Sequence, residues 1–425
     1  MAMRLLLSLC VLAAGVVTGP VSLEAQTVLS RVVDAETGEP VAGALAYLID
    51  REGETVRNVL TDQIGRAMFV NVPEGSYRIR IEMIGRQTTE SEGFAVEGAS
   101  TAQVEVRLPS SAIMLEGIAV SADERCRIRP EDGVTLSRVW DEARKALEAA
   151  SYTDRSDVYR YSTEMYERDL DRNARLVLEE VRSTRAGFMR IPFESRPAED
   201  LVEQGFVQTG PDGARNYFAP DARVLLSDVF LDSHCLRLAE GEDEAEGLIG
   251  VAFEPTADRS RRVPDISGTL WLDPETAELR WLSYRYVNVL PEIATDLIGG
   301  RVEFRRMPDG TWIVPEWWIR MPRLVEEHTV TGDIRRRIGG YRQSGGRVLE
   351  VRDRGGDAFM RGESGTIEGF VQDSLGIVPL SGVRVGVVGS NQLVFTDEEG
   401  RFEITGLTDG TYEIRFVDTR LEEYG

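Results

Sequence analysis

Hydrophobic and polar positions follow three patterns along this chain of 425 residues. At the N-terminus, Leu5 to Val17 is an apolar run interrupted only by Ser8, preceded by Arg4 and followed by a more polar stretch with Gly19 and Pro20. A bilayer-spanning helix needs about 20 apolar residues. The run is shorter, and it has the length of the apolar region of a secretion signal. Small Ala25 before Gln26 offers a cleavage boundary, so residues 1–25 are expected to be a signal peptide. Cys10 does not read as a lipid-anchored cysteine, because Leu9 before it is not small.

The second pattern is alternation with period two, the mark of a half-buried strand. It occurs in Tyr77-Arg78-Ile79-Arg80-Ile81, in Ala102 to Leu108 and in Val158 to Met165. Farther on, Gly268 to Asp273 leads through Pro274-Glu275-Thr276-Ala277 into Leu279 to Asn288. Gly300 to Met307 leads through Pro308-Asp309-Gly310 into Thr311 to Pro315. These are two consecutive hairpins. The third pattern is helical: Leu136, Val139, Trp140, Ala143 and Leu147 share one face, with charged residues on the other. This predicts an amphipathic helix that packs on a sheet. Ala219 to Leu226 and Phe230 to Leu236 read as a short helical insertion carrying Cys235.

One segment occurs twice. Residues 61–81, TDQIGRAMFVNVPEGSYRIRI, align without gaps to residues 396–416, TDEEGRFEITGLTDGTYEIRF. Thr61, Asp62, Gly65, Arg66, Gly75, Tyr77, Ile79 and Arg80 are matched by identical residues. Upstream, Asp34, Pro40 and Gly43 have the mutual spacing of Asp373, Pro379 and Gly382. Asp-x-x-Gly is turn chemistry: aspartate bonds nearby backbone and glycine accepts positive φ. Short strands between such turns predict a β-sandwich at each end of the chain.

The run through Val32, Asp34, Pro40, Gly43, Thr61, Asp62, Gly65, Gly75 and Tyr77 resembles a carboxypeptidase regulatory-like domain. The resemblance implies a transthyretin-like β-sandwich, grouped with carbohydrate-binding-like folds, and it does not by itself imply an activity. It departs from the family where Ile84-Gly85-Arg86 stands in place of a Gly-Tyr pair. The second copy has no counterpart of the strand at residues 102–108 before Gly425. The expectation is a fragment of a longer protein, or an edge filled by a partner.

The organisation expected is therefore mainly β. A sandwich at 26–108 and a connector at 109–133 are followed by a central helix-plus-meander or half-barrel domain at 134–352. A linker at 353–363 leads to an incomplete second sandwich at 364–425. Ile113 to Val120 resembles the segment leading into the plug of TonB-dependent receptors, or is simply one strand plus a linker. Asp273-Pro274-Glu275-Thr276 between strands resembles a hairpin of periplasmic lipoprotein carriers, which implies an acyl chain held on a curved sheet. Trp271, Trp281, Trp312, Trp317 and Trp318 are candidates to face a sugar or a lipid; as aromatics in strands they are otherwise core.

Composition narrows the chemistry. The formal charge of −23 disfavours nucleic acid and anionic membranes as partners. Two histidines, His234 and His328, stand far apart, with no HExxH or HxxE pair, so zinc carboxypeptidase chemistry is not indicated. No GxSxG elbow, Walker loop or dinucleotide fingerprint occurs. Glu242, Asp243, Glu244 and Glu246 lack the ligand spacing and central glycine of a calcium loop and read as a solvated loop. Arg335-Arg336-Arg337 reads as a charged strand edge. With 72 acidic residues, spacing singles out no carboxylate pair for glycoside hydrolysis. No cofactor and no metal is indicated.

The sequence thus points to a non-catalytic exported envelope protein, periplasmic or associated with the outer membrane, that binds or scaffolds. Its partner would be an envelope glycan, a lipid or an outer-membrane protein. The alternatives are a carrier with an apolar ligand in the central domain, and the N-terminal region of a TonB-dependent receptor or transport protein. After cleavage only Cys126 and Cys235 remain, and an even count in an oxidising compartment favours a disulfide over two buried thiols. Closing that loop contributes about 4–5 kcal/mol in the chain-entropy model. Unreduced exported protein should therefore resist alkylation at both positions; modification of both without reductant refutes the pair.

Overall fold

The computed structural model describes residues 26–98, 101–109, 115, 130–184, 187–211, 213–257, 259, 263–328, 334–361, 365–373, 378–387, 393–407 and 414–418. The expected signal peptide, Cys126 and nearly all of Ile113 to Val120 lie outside these residues.

The first sandwich has eight strands: β1 (Thr27–Asp34), β2 (Leu45–Ile49), β3 (Thr55–Leu60), β4 (Arg66–Val70), β5 (Gly75–Glu82), β6 (Thr89–Glu90), β7 (Phe94–Val96) and β8 (Thr101–Leu108). One sheet has the order β4-β1-β8; the other is β3-β2-β5-β6, with β7 also on β5. Strand β8 lies parallel to β1 over eight residues, Thr27 opposite Thr101 through Asp34 opposite Leu108. Alternate positions, among them Val32, Phe69, Leu48 and Ile79, interleave in a core between the sheets.

The repeat extends to individual atoms. Thr61 Oγ1 accepts from Ala44 N at 2.9 Å and donates to Val41 O at 2.7 Å. Thr396 Oγ1 accepts from Val383 N at 2.9 Å and donates to Leu380 O at 2.6 Å. Asp62 and Asp397 each receive the backbone N–H groups two and four residues on. Gly65 and Gly400 have φ of +72° and +74°, and a β-carbon on either would lie 2.4 Å from a backbone carbonyl oxygen. No side chain fits there, so the shared Thr-Asp-x-x-Gly is a steric and hydrogen-bonding requirement of one turn.

The central region begins with helix α1 (Pro130–Arg155), then β9 (Tyr159–Leu170) and β10 (Val177–Thr184). A helical insertion holds α2 (Ala198–Gln204), the hairpin β11 (Val207–Thr209) and β12 (Arg215–Tyr217), α3 (Ala222–Leu226) and α4 (Asp228–Ser233). Cys235 lies not on that insertion but on the next strand, β13 (His234–Glu240). Then come β14 (Ile249–Pro255), β15 (Asp265–Leu272), β16 (Leu279–Val287), β17 (Gly299–Glu303), β18 (Arg305–Arg306), β19 (Trp312–Ile313), β20 (Glu316–His328) and β21 (Ile334–Asp353). They form one antiparallel sheet of order β10-β9-β21-β20-β17-β16-β15-β14-β13, with β18 and β19 paired separately. Residues 358–361, expected in a linker, are instead β22 (Ala358–Arg361), which folds back onto β21. The second copy follows as β23 (Gly365–Phe370), β24 (Arg384–Val387), β25 (Leu393–Phe395), β26 (Arg401–Leu407) and β27 (Ile414–Val417). Val383, Val385, Phe402 and Ile404 form its core.

Large rings in the central sheet stand directly opposite glycines. Trp317 faces Gly346, Trp271 faces Gly250, Tyr166 faces Gly345, and Tyr284 faces Gly300. A β-carbon on Gly346 would come within 2.3 Å of the Trp317 ring. The missing side chain lets the ring lie across the partner strand.

Helix α1 packs on both of its faces. Its apolar residues Leu136, Val139, Ala143 and Leu147 pack into the main core, and it meets β13, β14, β16 and β19. Part of its charged face is buried as well. Glu142 is 0% and Lys145 1% exposed. Lys145 Nζ donates to Glu142 Oε1 at 2.8 Å and to the Arg86 carbonyl at 3.1 Å, while Gly85 N donates to Glu142 Oε2 at 2.8 Å. Arg144 binds Glu82 at 2.8 Å and Glu148 at 2.8 Å, and the Tyr47 hydroxyl donates to Glu148. The first sandwich covers this face, because Glu82, Gly85, Arg86 and Tyr47 belong to it. Two turns add to the junction. Gly43 meets Gly310 so closely that a β-carbon would lie 2.3 Å from its Cα, and Leu115 N donates to Pro274 O at 2.9 Å.

At the far end of α1, Asp154 has its pKa pushed up to about 7, first by burial and then by the Asp221 carboxylate, with Arg223 opposing. The folded state thus holds this proton more tightly than the unfolded chain. The contribution is complete below the unfolded pKa and is lost as pH rises toward 7. Asp154→Asn should raise the melting temperature at pH 8, with the gain shrinking to nothing by about pH 4. Lys145→Met should cost about 3–5 kcal/mol in urea unfolding, because it leaves Glu142 buried without its cation. Adding Glu142→Leu should restore most of that loss.

Candidate binding face

Two residue ladders run across the central sheet, one residue apart. Val251, Leu270, Leu282, Val302 and Trp317 are successive cross-strand partners on the helix side. On the other side Trp271 faces Trp281, Trp281 faces Glu303, Arg301 faces Trp318, and Trp318 faces Gly345. The line continues through Tyr166 to Arg182. A one-residue slip would exchange the two ladders, so burial of the first fixes the second.

This sorts the five tryptophans. Trp312 and Trp317, 2% and 6% exposed, are buried in the core, and Trp312 also borders the recess beside Trp281. Trp317 packs on Phe193 with ring centres 5.5 Å apart. Trp271, Trp281 and Trp318 are half-buried on the opposite side. In their sequence segments Trp317 and Trp318 look alike; pleating sends them to opposite sides of the sheet.

The half-buried tryptophans stand among guanidinium groups. Arg301 lies over the Trp281 ring at 4.1 Å and Arg320 over Trp318 at 4.8 Å, both within cation–π range. Trp271 Nε1 donates to Ser283 Oγ at 3.0 Å. Arg301 pairs with Glu303 at 3.2 Å and Arg347 with Glu316 at 3.1 Å. Burial, reinforced by Glu316 and opposed by Arg301, raises the Glu303 pKa. Burial lowers that of Arg320, whose Nη2 donates to Gln343 Oε1 at 3.1 Å. Beside this stripe, Trp281, Arg301, Glu303, Arg305 and Pro308 border a recess of about 650 Å³. The arrangement offers ring faces, fixed donors and fixed acceptors. The arginines were the part missed from sequence, because only the register shows them beside the rings.

Other candidates resolve as structural. His234 is buried with its ring stacked on Phe230 at 3.9 Å; its Nε2 lies 3.3 Å from Asp265, which also pairs with Arg259. Among the described residues no group of three or more His, Cys, Asp or Glu side chains is placed to hold a metal ion. Glu244 of the acidic loop pairs with Arg301. Arg336 and Arg337 pair across β20–β21 with Glu326 and Glu327. Against β13, β14 and β16, where a carrier would hold an acyl chain, α1 itself packs.

Residues 27–109 match the family model described as the carboxypeptidase regulatory-like domain. This segment is a carboxypeptidase regulatory-like domain. It is the sandwich that docks on α1, and its turn chemistry recurs in the second copy. No curated protein matches the chain. Similar solved structures include 5-hydroxyisourate hydrolase of Klebsiella pneumoniae, at 19% identity over 20% of this chain and 87% of that one, with a TM-score of 0.17. The major pilin subunit of Bacillus cereus is 12% identical over 92% of this chain and 87% of its own, with a TM-score of 0.18. The minor pilin of Streptococcus agalactiae is 17% identical over 24% and 48%, with a TM-score of 0.16. No described helix is long and apolar enough to cross a membrane.

Proposed function

We propose that this protein is a non-catalytic binding and scaffold component of the bacterial cell envelope, exported by residues 1–25. Its carboxypeptidase regulatory-like domain braces a central sheet, and the tryptophan–arginine face of that sheet contacts an envelope glycan. One observation carries the reading: Trp271, Trp281 and Trp318 share one face with Arg301, Glu303, Arg320 and Gln343. Ring faces stack on the apolar faces of sugars, while guanidinium, carboxylate and amide groups bond the hydroxyls. The recess beside Trp281 falls within the size range of small-ligand sites, about 300–1,000 Å³. The net charge of −23 keeps nucleic acid and anionic membranes off the rest of the surface.

Co-sedimentation with insoluble peptidoglycan, and titration with soluble lipopolysaccharide glycan, test this on the mature protein. One of these glycans should bind, and Trp281→Ala should weaken binding roughly tenfold with unchanged circular dichroism. Absence of binding to either, or equal binding by the variant, overturns the reading. Release of cleaved sugar, lost on substitution of one carboxylate, overturns its non-catalytic part.

A further inference from the structure

The β20–β21 pair slips register once. Arg323 lies opposite Gly340, but Leu324 lies opposite Ile338. A bulge of this kind bends the strand and re-aims the side chain beside it. Two glycines make room for the slip. A β-carbon on Gly339 would fall 2.5 Å from Val325 Cγ1, and one on Gly340 2.5 Å from the Leu170 carbonyl oxygen. From the slip Arg323 reaches Asp169, with Nη1 2.5 Å from Oδ2. Its Nε–H is buried and has no acceptor among the described residues. Arg342 Nε binds the other oxygen of Asp169 at 3.0 Å.

These two arginines line a recess of about 470 Å³ together with Arg336 and Arg215. Arg336 pairs with Glu326 at 3.2 Å, Arg215 lies 3.6 Å from Glu292, and Glu167 lies 4.0 Å from Arg342. The rest of the lining is Glu326 itself, Gly213, and the apolar side chains of Tyr217 from β12 and Met321, Pro322 and Leu324 from β20. Met321 and Arg342 are cross-strand partners, and this recess shares no lining residue with the one beside Trp281. Four guanidinium groups thus gather beside apolar side chains, each with a carboxylate within 4.0 Å.

We propose that this recess binds a phosphate monoester that carries a short apolar group. A phosphate monoester presents three terminal oxygens and engages several guanidinium forks at once, where a carboxylate presents two. Tyr217, Met321, Pro322 and Leu324 take the apolar group. The recess volume suits a ligand of that size and not a full two-chain lipid.

Calorimetric titration of the mature protein tests this with phenyl phosphate, inorganic phosphate and benzyl alcohol. Phenyl phosphate should bind at one site, at least roughly tenfold more tightly than either half alone, and more weakly as salt rises. Arg323→Gln and Arg336→Gln should each weaken it roughly tenfold. The Arg336 side chain is 65% exposed, so that variant keeps its fold and carries the test if Arg323→Gln does not. Dihexanoyl phosphatidic acid separates the sources: tighter binding than phenyl phosphate assigns a lipid head group, weaker binding a free phosphorylated small molecule, and either supports the site. Equal affinity for inorganic phosphate, absence of saturable binding, or full affinity in Arg336→Gln overturns the proposal.

Discussion

Helix α1 carries charge into the middle of the molecule. Lys145 and Glu142 are both out of contact with water, and the groups that satisfy them come from the loop after β5 of the first sandwich, through Gly85 N and the Arg86 carbonyl. Buried charges persist only where paired and hydrogen-bonded. The sandwich is therefore not an appendage tethered by its connector. It supplies part of the coordination that allows α1 to be buried, and α1 in turn fills the helix side of the central sheet. Domain docking and the core of the sheet are one problem with one solution.

That arrangement sets what the sheet can do. Its helix side is occupied against β13, β14 and β16, and two other places among the described residues gather side chains suited to a ligand. One is the opposite face, with its half-buried tryptophans and stacked arginines. The other is the region of β20 and β21, where a register slip gathers arginines beside apolar residues. A central domain filled by its own helix fits a binding or scaffold role better than that of a carrier with an empty groove.

Much of the fold was legible in the residues. The two Thr-Asp-x-x-Gly turns required the same hydrogen bonds and the same positive φ in both copies, so the repeat marked two equivalent sandwiches. The hairpins at Pro274 to Ala277 and Pro308 to Gly310 were legible because turn residues act locally. Helix α1 was legible in its apolar face. The burial of its charged residues was not legible, since it depends on groups more than fifty residues away. The tryptophans were legible as candidates but not as a sorted set: neighbours Trp317 and Trp318 differ only in which side of a pleated strand each takes.

The sequence by itself determined what local chemistry can determine: the β-sandwich modules, the strand–turn alternation of the central region, and the absence of familiar catalytic motifs. Tertiary structure alone decided the rest. Register chose which tryptophans meet arginines and which meet glycines in the core. Docking of the first sandwich turned a charged helix face into a buried ion network. A single bulge assembled Arg323, Arg336 and Arg342 beside Arg215 from across the chain. Each of these depends on pairing between segments distant in sequence, and no local pattern carries that information.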